Sequence, residues 1–360
     1  MGYRYIGAKT KILPRILAKA NSILPNGGQV IDLMAGTGAV STEFRKNGFF
    51  VTACDLMTFS YHHCRTALLF TQEPQFQSAK KILSKNFTKQ LSLFQTSNYE
   101  AVIDHLNNTK PIEGYFWREF SSEGSPTNGC SPRNYFSPSN AKRIDAIRKE
   151  IKTLFLNGLI DDLERSLLLH DLIMAANDVA NIAGTYGHFL SVLRGRSLTD
   201  IKLSTTQLMI LPDKGNHKVL QGYAEELAPD LQGDLCYIDP PYMKRQYAAN
   251  YHILETLARE DEPEAVGVSG LRPWRDQYSN FCSKVKIRDA FSSIINNMRC
   301  DRYLISYSDE GLLTIDELFD YLSKFGRVTL SKFAYKRFKS RAEESRPEIT
   351  EYLIDLRRHK

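Results

Sequence analysis

Asp239-Pro240-Pro241-Tyr242 stand directly behind a short apolar run, Leu235 to Ile238. Both prolines fix φ and lack an amide proton, so a strand arriving there stops and leaves carbonyls without competing donors. Asp239 adds a carboxylate acceptor, and Tyr242 an aromatic face with a polar tip. The exocyclic amine of a purine is planar, because its lone pair is delocalised into the ring, and it is a poor nucleophile. Two acceptors, the Asp239 carboxylate and the Pro240 carbonyl, can hold its two protons and favour the pyramidal form in which the lone pair is free. Tyr242 can stack on the base. The plainer reading of the same residues is a strand stop with a tight turn.

A second group lies in the N-terminal part. Gly36 and Gly38 sit where an apolar strand turns into a helix, which lets the backbone pass close to a ligand over the carboxyl end of a sheet. Asp55, about 20 residues on at the tip of the next strand, can accept both hydroxyls of a ribose. Ser41 stands where a dinucleotide loop carries its third glycine, so the pattern leans away from NAD and toward S-adenosylmethionine. Asp32, closing the first strand, is placed to meet a cation such as the methionine amine.

These residues need a parallel sheet to position them. Val30 to Leu33, a helix from Ala39 to Asn47 and a strand from Phe49 to Cys54 form a strand-loop-helix-strand unit. From about Phe70 to Leu220 the character is mainly helical. Lys80, Lys81, Lys85 and Lys89 space one stretch, a Ser/Pro/Gly-rich loop runs from Ser121 to Asn140, and helices are expected over Ala141 to Asn157 and Ile160 to Ile182. The α/β pattern returns with Leu235 to Ile238, a helix over Tyr251 to Arg259, a strand over Tyr303 to Tyr307 and a helix over Ile315 to Phe325. Two closing strands are expected over Arg327 to Ala334 and Ile349 to Asp355. The expected division is a discontinuous α/β domain, 1–70 with 221–360, and an inserted helical domain, 71–220.

The chain has 360 residues, 42% of them hydrophobic and 11% aromatic, which supports a sizeable core and excludes a disordered class. Its formal charge of +6 suits a polyanionic partner. The six cysteines are scattered without a CxxC pair, so reduced thiols in a cytoplasmic protein are expected; His62-His63-Cys64 has no matching second cluster, and no metal is expected. No apolar run has the length of a signal peptide core or a membrane span.

Taken together, the motifs resemble those of the Dam-like alpha-group DNA adenine-N6 methyltransferases. "YIGAKTKIL" looks like the family's first cofactor motif, "DLMAGTGAV" its glycine motif, Asp55 its ribose acid and "DPPY" its catalytic motif; "NYHILET", "SYSDEG" and "GTYGHFL" also match. The resemblance implies a Rossmann-like class I methyltransferase sheet with a terminal antiparallel hairpin and a mainly helical insertion that recognises the target. It implies that Tyr5 and Lys9 contact S-adenosylmethionine, Tyr5 by packing and Lys9 near the methionine end, and that Asp239 serves both cofactor and amine. Met34 replaces a frequent aromatic residue, and Gln221-Gly222-Tyr223 stand where relatives tend to carry a further acid.

The implied reaction is methylation of an adenine flipped from double-stranded DNA, within a prokaryotic restriction-modification system. A monomer is expected, with a cognate restriction endonuclease as a candidate partner. Expected DNA contacts are Lys244, Arg245 and Tyr247 after the catalytic motif, and Lys336, Arg337, Lys339 and Arg341 on the terminal hairpin. Readout is expected from Arg118, Arg133 and Tyr186. The rival readings are cytosine-N4 methylation, RNA adenine methylation and DNA binding without activity.

Overall fold

The computed structural model describes residues 5, 7, 9–80, 97–211, 216–336 and 348–359. Seven strands form one sheet: β1 (Gln29–Asp32), β2 (Phe50–Asp55), β3 (Lys218–Gln221), β4 (Leu235–Ile238), β5 (Arg302–Ser308), β6 (Gly326–Lys336) and β7 (Glu348–Arg358). Their order is β3-β2-β1-β4-β5-β7-β6. The first five run parallel, whereas β7 pairs antiparallel with both β5 and β6. The expected α/β sheet with a terminal antiparallel hairpin is present.

Its local logic is plain in the sequence. All four residues of β4 are buried, as are six of the seven in β5, so both read as continuous apolar runs rather than alternating ones. Ile31, Cys236, Ile238, Tyr303 and Ile305 pack against Ile287, Phe291, Ile294 and Ile295 of the helix Ile287–Asn297. β3 escapes sequence reading because KVLQ is an edge strand, exposed at both ends and half-buried between.

By packing, the chain divides into two compact units: Met1–Gly7 with Arg65–Gly215 and Ala248–Asp276, and Ala8–Cys64 with Asn216–Tyr247 and Gln277–Lys360. The second contains the sheet. The expected division at 70/71 and 220/221 differs from this one at residues 65–70, 216–220 and 248–276, and in the first seven residues.

The first unit is helical. Its helix Pro138–Leu156 starts three residues before the expected Ala141, because the Ser137 side chain accepts from the Asn140 amide and Pro138 sits at the first helical position. Helix Asp162–Val179 is closed by a capping box of Asp161 and Glu164, and its Leu167, Leu168, Leu169, Leu172 and Ile173 are all buried. Among the described residues no helix is long and apolar enough to cross a membrane, and no group of three or more His, Cys, Asp and Glu is placed to hold a metal.

Candidate active site

Asp239 follows the last residue of β4 and meets Lys9, from a single 3-10 turn, Lys9–Lys11. The Lys9 Nζ lies 3.0 Å from Asp239 Oδ1 and 3.6 Å from Glu351 Oε2. The same ammonium is 3.5 Å from the Tyr242 hydroxyl and 5.1 Å from the centre of its ring, and that hydroxyl donates to Glu351 Oε1 at 3.3 Å. Lys9 and Glu351 are 6% and 2% exposed, whereas 19% of the Asp239 side chain stays accessible. One buried ammonium therefore serves two carboxylates, and only one of the carboxylates opens outward.

The charges follow from burial and pairing. Burial pulls the Lys9 ammonium toward neutrality, but Asp239, Tyr242 and Glu351 outweigh it and hold the proton well above the usual lysine range. Burial raises the Asp239 carboxyl, and Lys9 opposes that shift.

The turn after β4 is itself clamped. Leu312 donates its amide proton to the Tyr242 carbonyl at 2.9 Å, and the Tyr242 ring meets Tyr307 edge-on at 5.8 Å. Gly311 makes this approach possible, since a Cβ there would sit 2.3 Å from the Tyr307 ring. The "SYSDEG" segment thus supports the turn after β4.

Beside it, β1 and β2 present the glycine loop. Gly36 and Gly38 have φ of 55° and 75°, the left-handed region that favours glycine. The Gly36 amide donates to Asp55 Oδ2 at 2.7 Å and the Met57 amide to Asp55 Oδ1 at 2.8 Å, so the carboxylate also holds the loop in place. Ser41 donates its hydroxyl proton to Asp32 Oδ2 at 2.6 Å, which gives the serine at the third-glycine position a definite task. Asp32 is 1% exposed, and its Oδ1 is buried without a hydrogen-bond partner. Burial pushes its carboxyl up to about 7, helped by Asp239 and Asp55 and opposed by Ser41.

β1 and β4 are adjacent, with Asp32 in register with Tyr237, so Asp32, Gly36, Gly38, Asp55 and Asp239 share the carboxyl edge of neighbouring strands. An orphaned buried carboxylate oxygen beside a glycine loop fits a cationic, ribose-bearing group such as S-adenosylmethionine. At the end of β3, Gln221 donates to Thr58 Oγ1 at 2.8 Å and the Gly222 amide to the Asp55 carbonyl at 3.0 Å. Tyr223 lines a cavity of about 330 Å³ with Glu225, Glu226, Tyr278 and Asn280. The acids near this segment thus come two and three residues after Tyr223.

Other expected residues lie elsewhere. Tyr5 stacks on Tyr251 at 5.0 Å in the helical unit. Lys244 and Arg245 are exposed and Tyr247 is half-buried. Lys336 ends β6, while Arg337, Lys339 and Arg341, like Lys81, Lys85 and Lys89, lie outside the described residues. Arg118 is half-buried, bonding Glu119 Oε1 at 3.0 Å and covering the Tyr115 ring.

Two expectations need correction. Arg133 is fully buried: its guanidinium bonds Glu119 Oε2 at 2.8 Å and the carbonyls of Glu119, Ala265, Gly267 and Val268. Tyr186 is also fully buried, with its hydroxyl on Asn177 and its carbonyl accepting from Tyr135 and His252. Both spend their polar atoms inside the fold and present nothing to a base edge. Sequence reading missed Glu351. Its only signal is an acid in the apolar strand "ITEYLIDL".

Comparisons with known proteins bear on this geometry. The model of a family described as D12 class N6 adenine-specific DNA methyltransferase matches residues 5–321. The chain is similar to type II methyltransferase M.FokI of Planomicrobium okeanokoites, 34% identical over 99% of this chain and 52% of that protein. It is similar to modification methylase StsI of Streptococcus sanguinis, 31% identical over 99% of this chain and 52% of the relative. It is also 30% identical to type II methyltransferase M.NlaIII of Neisseria lactamica, over 95% of this chain and 94% of the relative. The chain thus spans about half the length of the first two relatives and nearly all of the third.

Proposed function

Since the chain belongs to the D12 class of N6 adenine-specific DNA methyltransferases, we propose that it methylates the exocyclic amine of an adenine flipped out of double-stranded DNA, as the modification enzyme of a restriction-modification system. The observation that carries this reading is the half-open Asp239, held by Lys9 behind the glycine loop at the carboxyl edge of β1 and β4.

Asp32, Gly36, Gly38, Asp55 and Asp239 would hold S-adenosylmethionine, which when bound supplies an electrophilic methyl group. The chain's own task is to prepare the amine. Lys9 engages Asp239 Oδ1 and leaves Oδ2 for one amine proton; the Pro240 carbonyl takes the other. With both protons held, the amine becomes pyramidal and its lone pair is no longer delocalised into the ring. Tyr242, fixed by Leu312 and Tyr307, lies against the base. The proton released after transfer leaves through Asp239 or to solvent. Flipping the adenine costs a few kcal/mol, which phosphate contacts must offset.

We assign those contacts to Lys244, Arg245 and Tyr247 and to the basic segment from Lys336 to Arg341, and target recognition to the helical unit, with Arg118 as its remaining candidate. We place the enzyme in the prokaryotic cytoplasm as a monomer, paired with a cognate endonuclease. The relatives' names, type II methyltransferase and modification methylase, support the modification role.

Purified protein, labelled S-adenosylmethionine and unmodified DNA test the reading, with the DNA digested to nucleosides. N6-methyladenine is expected, and Asp239→Ala should lower its formation by on the order of 10²- to 10⁴-fold. N4-methylcytosine as the product would sink the adenine assignment. Absence of transfer, with Asp239→Ala binding DNA as the parent does, would leave a binding protein.

A further inference from the structure

Glu351 belongs to no motif and has no assigned task, yet it is the second carboxylate on the Lys9 ammonium. It enters from β7, where it lies in register with Ser308 of β5 and Phe333 of β6. A buried carboxylate is costly unless it is paired, and the Lys9 ammonium with which Glu351 pairs is shared with Asp239. Lys9 and Asp239 alone would cancel. Glu351 adds a second carboxylate to that pair.

We propose that Glu351 is a positioning residue, which anchors Lys9 and draws off part of its charge so that Asp239, ionised by its pairing with Lys9, is fixed in orientation and remains a strong acceptor for the target amine. This rests on the reaction proposed above. Without Lys9, the buried carboxylate of Asp239 would take up a proton and lose an acceptor lone pair. With Lys9 but without Glu351, the ammonium would turn wholly to Asp239 and weaken it as an acceptor. Tyr242 completes the arrangement, since its hydroxyl donates to Glu351 Oε1 while its ring faces Lys9. The base platform and the catalytic acid are thereby tied to one ammonium.

Several groups of the described residues face this cluster. Lys9 comes from the N-terminal turn, Asp239 and Tyr242 from the turn after β4, and Tyr237 from β4 itself; Asp32, from β1, acts on Asp239 through space. Tyr237 is neutral at working pH, because burial and Asp239 hold its proton above the usual tyrosine range, and its hydroxyl pairs with Ser306 at 2.7 Å. Among the described residues, Lys9 and Asp32 thus act on the charge of Asp239, and Glu351 acts on it through Lys9.

The test is the pH profile of kcat for methyl transfer in the full chain. Asp239 must be ionised to act, so the rate rises with pH through its titration and defines an acidic limb. Glu351→Gln keeps shape and removes charge. Its limb should move down by about one unit as Lys9 acts on Asp239 alone, with kcat lowered and KM for DNA little changed. Lys9→Met should move the limb the other way, up by about 1–3 units. Glu351→Asp, which keeps the charge, should leave the limb near the parent's. A Glu351→Gln protein that loses its thermal transition, or that loses rate with an unmoved limb, makes Glu351 structural and overturns the proposal. A parent enzyme that leaves adenine unmethylated defeats the reaction itself, and that result is read before any variant.

Discussion

At the end of β1, Asp32 is buried with one oxygen on Ser41 and the other on nothing. Burial raises its carboxyl from 3.8 to about 7, so the folded chain holds that proton more tightly than the unfolded chain does. The fold therefore loses stability as pH rises from about 4 to about 7, because the unfolded chain ionises freely there and the folded one does not. Asp32→Asn removes this penalty. Its melting temperature relative to the parent should rise between pH 5 and pH 8, while its affinity for S-adenosylmethionine falls. Equal differences at the two pH values, measured by calorimetry, would mean that Asp32 has a charged partner in the fold. The residue accepts a stability cost at the place proposed above for the cationic cofactor. Its place at a strand end before a glycine loop was legible in the sequence. Ser41 was legible only as a missing glycine, and Glu351 not at all, since its partner Lys9 lies at the opposite end of the chain and no spacing rule connects them.

Elements divide in the same way. β1, β4 and β5 could be read because a strand covered on both faces is an unbroken apolar run, while β3 could not, because its edge position lets it stay polar. The start of helix Pro138–Leu156 was hidden because Ser137-Pro138, a cap followed by the first helical residue, also reads as the end of a loop. Arg133 shows the larger difficulty. In the sequence it is a cation in a Ser/Pro/Gly-rich loop and invites a phosphate or a base. In the structure it ties Glu119 to the turn at residues 265–268, and Gly270 is required beside it, since a Cβ there would meet the guanidinium at 2.9 Å. Arg133→Ala would leave the 2%-exposed Glu119 without its buried partner and four carbonyls short of donors. A loss of about 3–5 kcal/mol in unfolding free energy is expected, with the preferred DNA site unchanged. Unaltered stability with an altered site in urea unfolding and methylation mapping would return Arg133 to base readout.

For the whole molecule the decisive quantity is charge. For the DNA binding proposed above, a net +6 spread evenly is small, so the attraction would come from where the cations lie. With Arg133 turned inward, Lys244 and Arg245 are the exposed cations immediately after the catalytic turn. Each phosphate neutralised by such a residue releases counterions, and the logarithm of the binding constant falls against the logarithm of salt concentration by about 0.9 per contact. Replacing both Lys244 and Arg245 by Ala should therefore flatten that slope by about 1.8, and should weaken binding to all duplex sequences alike. Arg133→Ala should leave the slope of the folded protein where it was. Titrations of one duplex at several salt concentrations separate the cases. A double variant with the parent slope would move the phosphate contacts away from the catalytic turn and onto other cations, the terminal basic segment first among them.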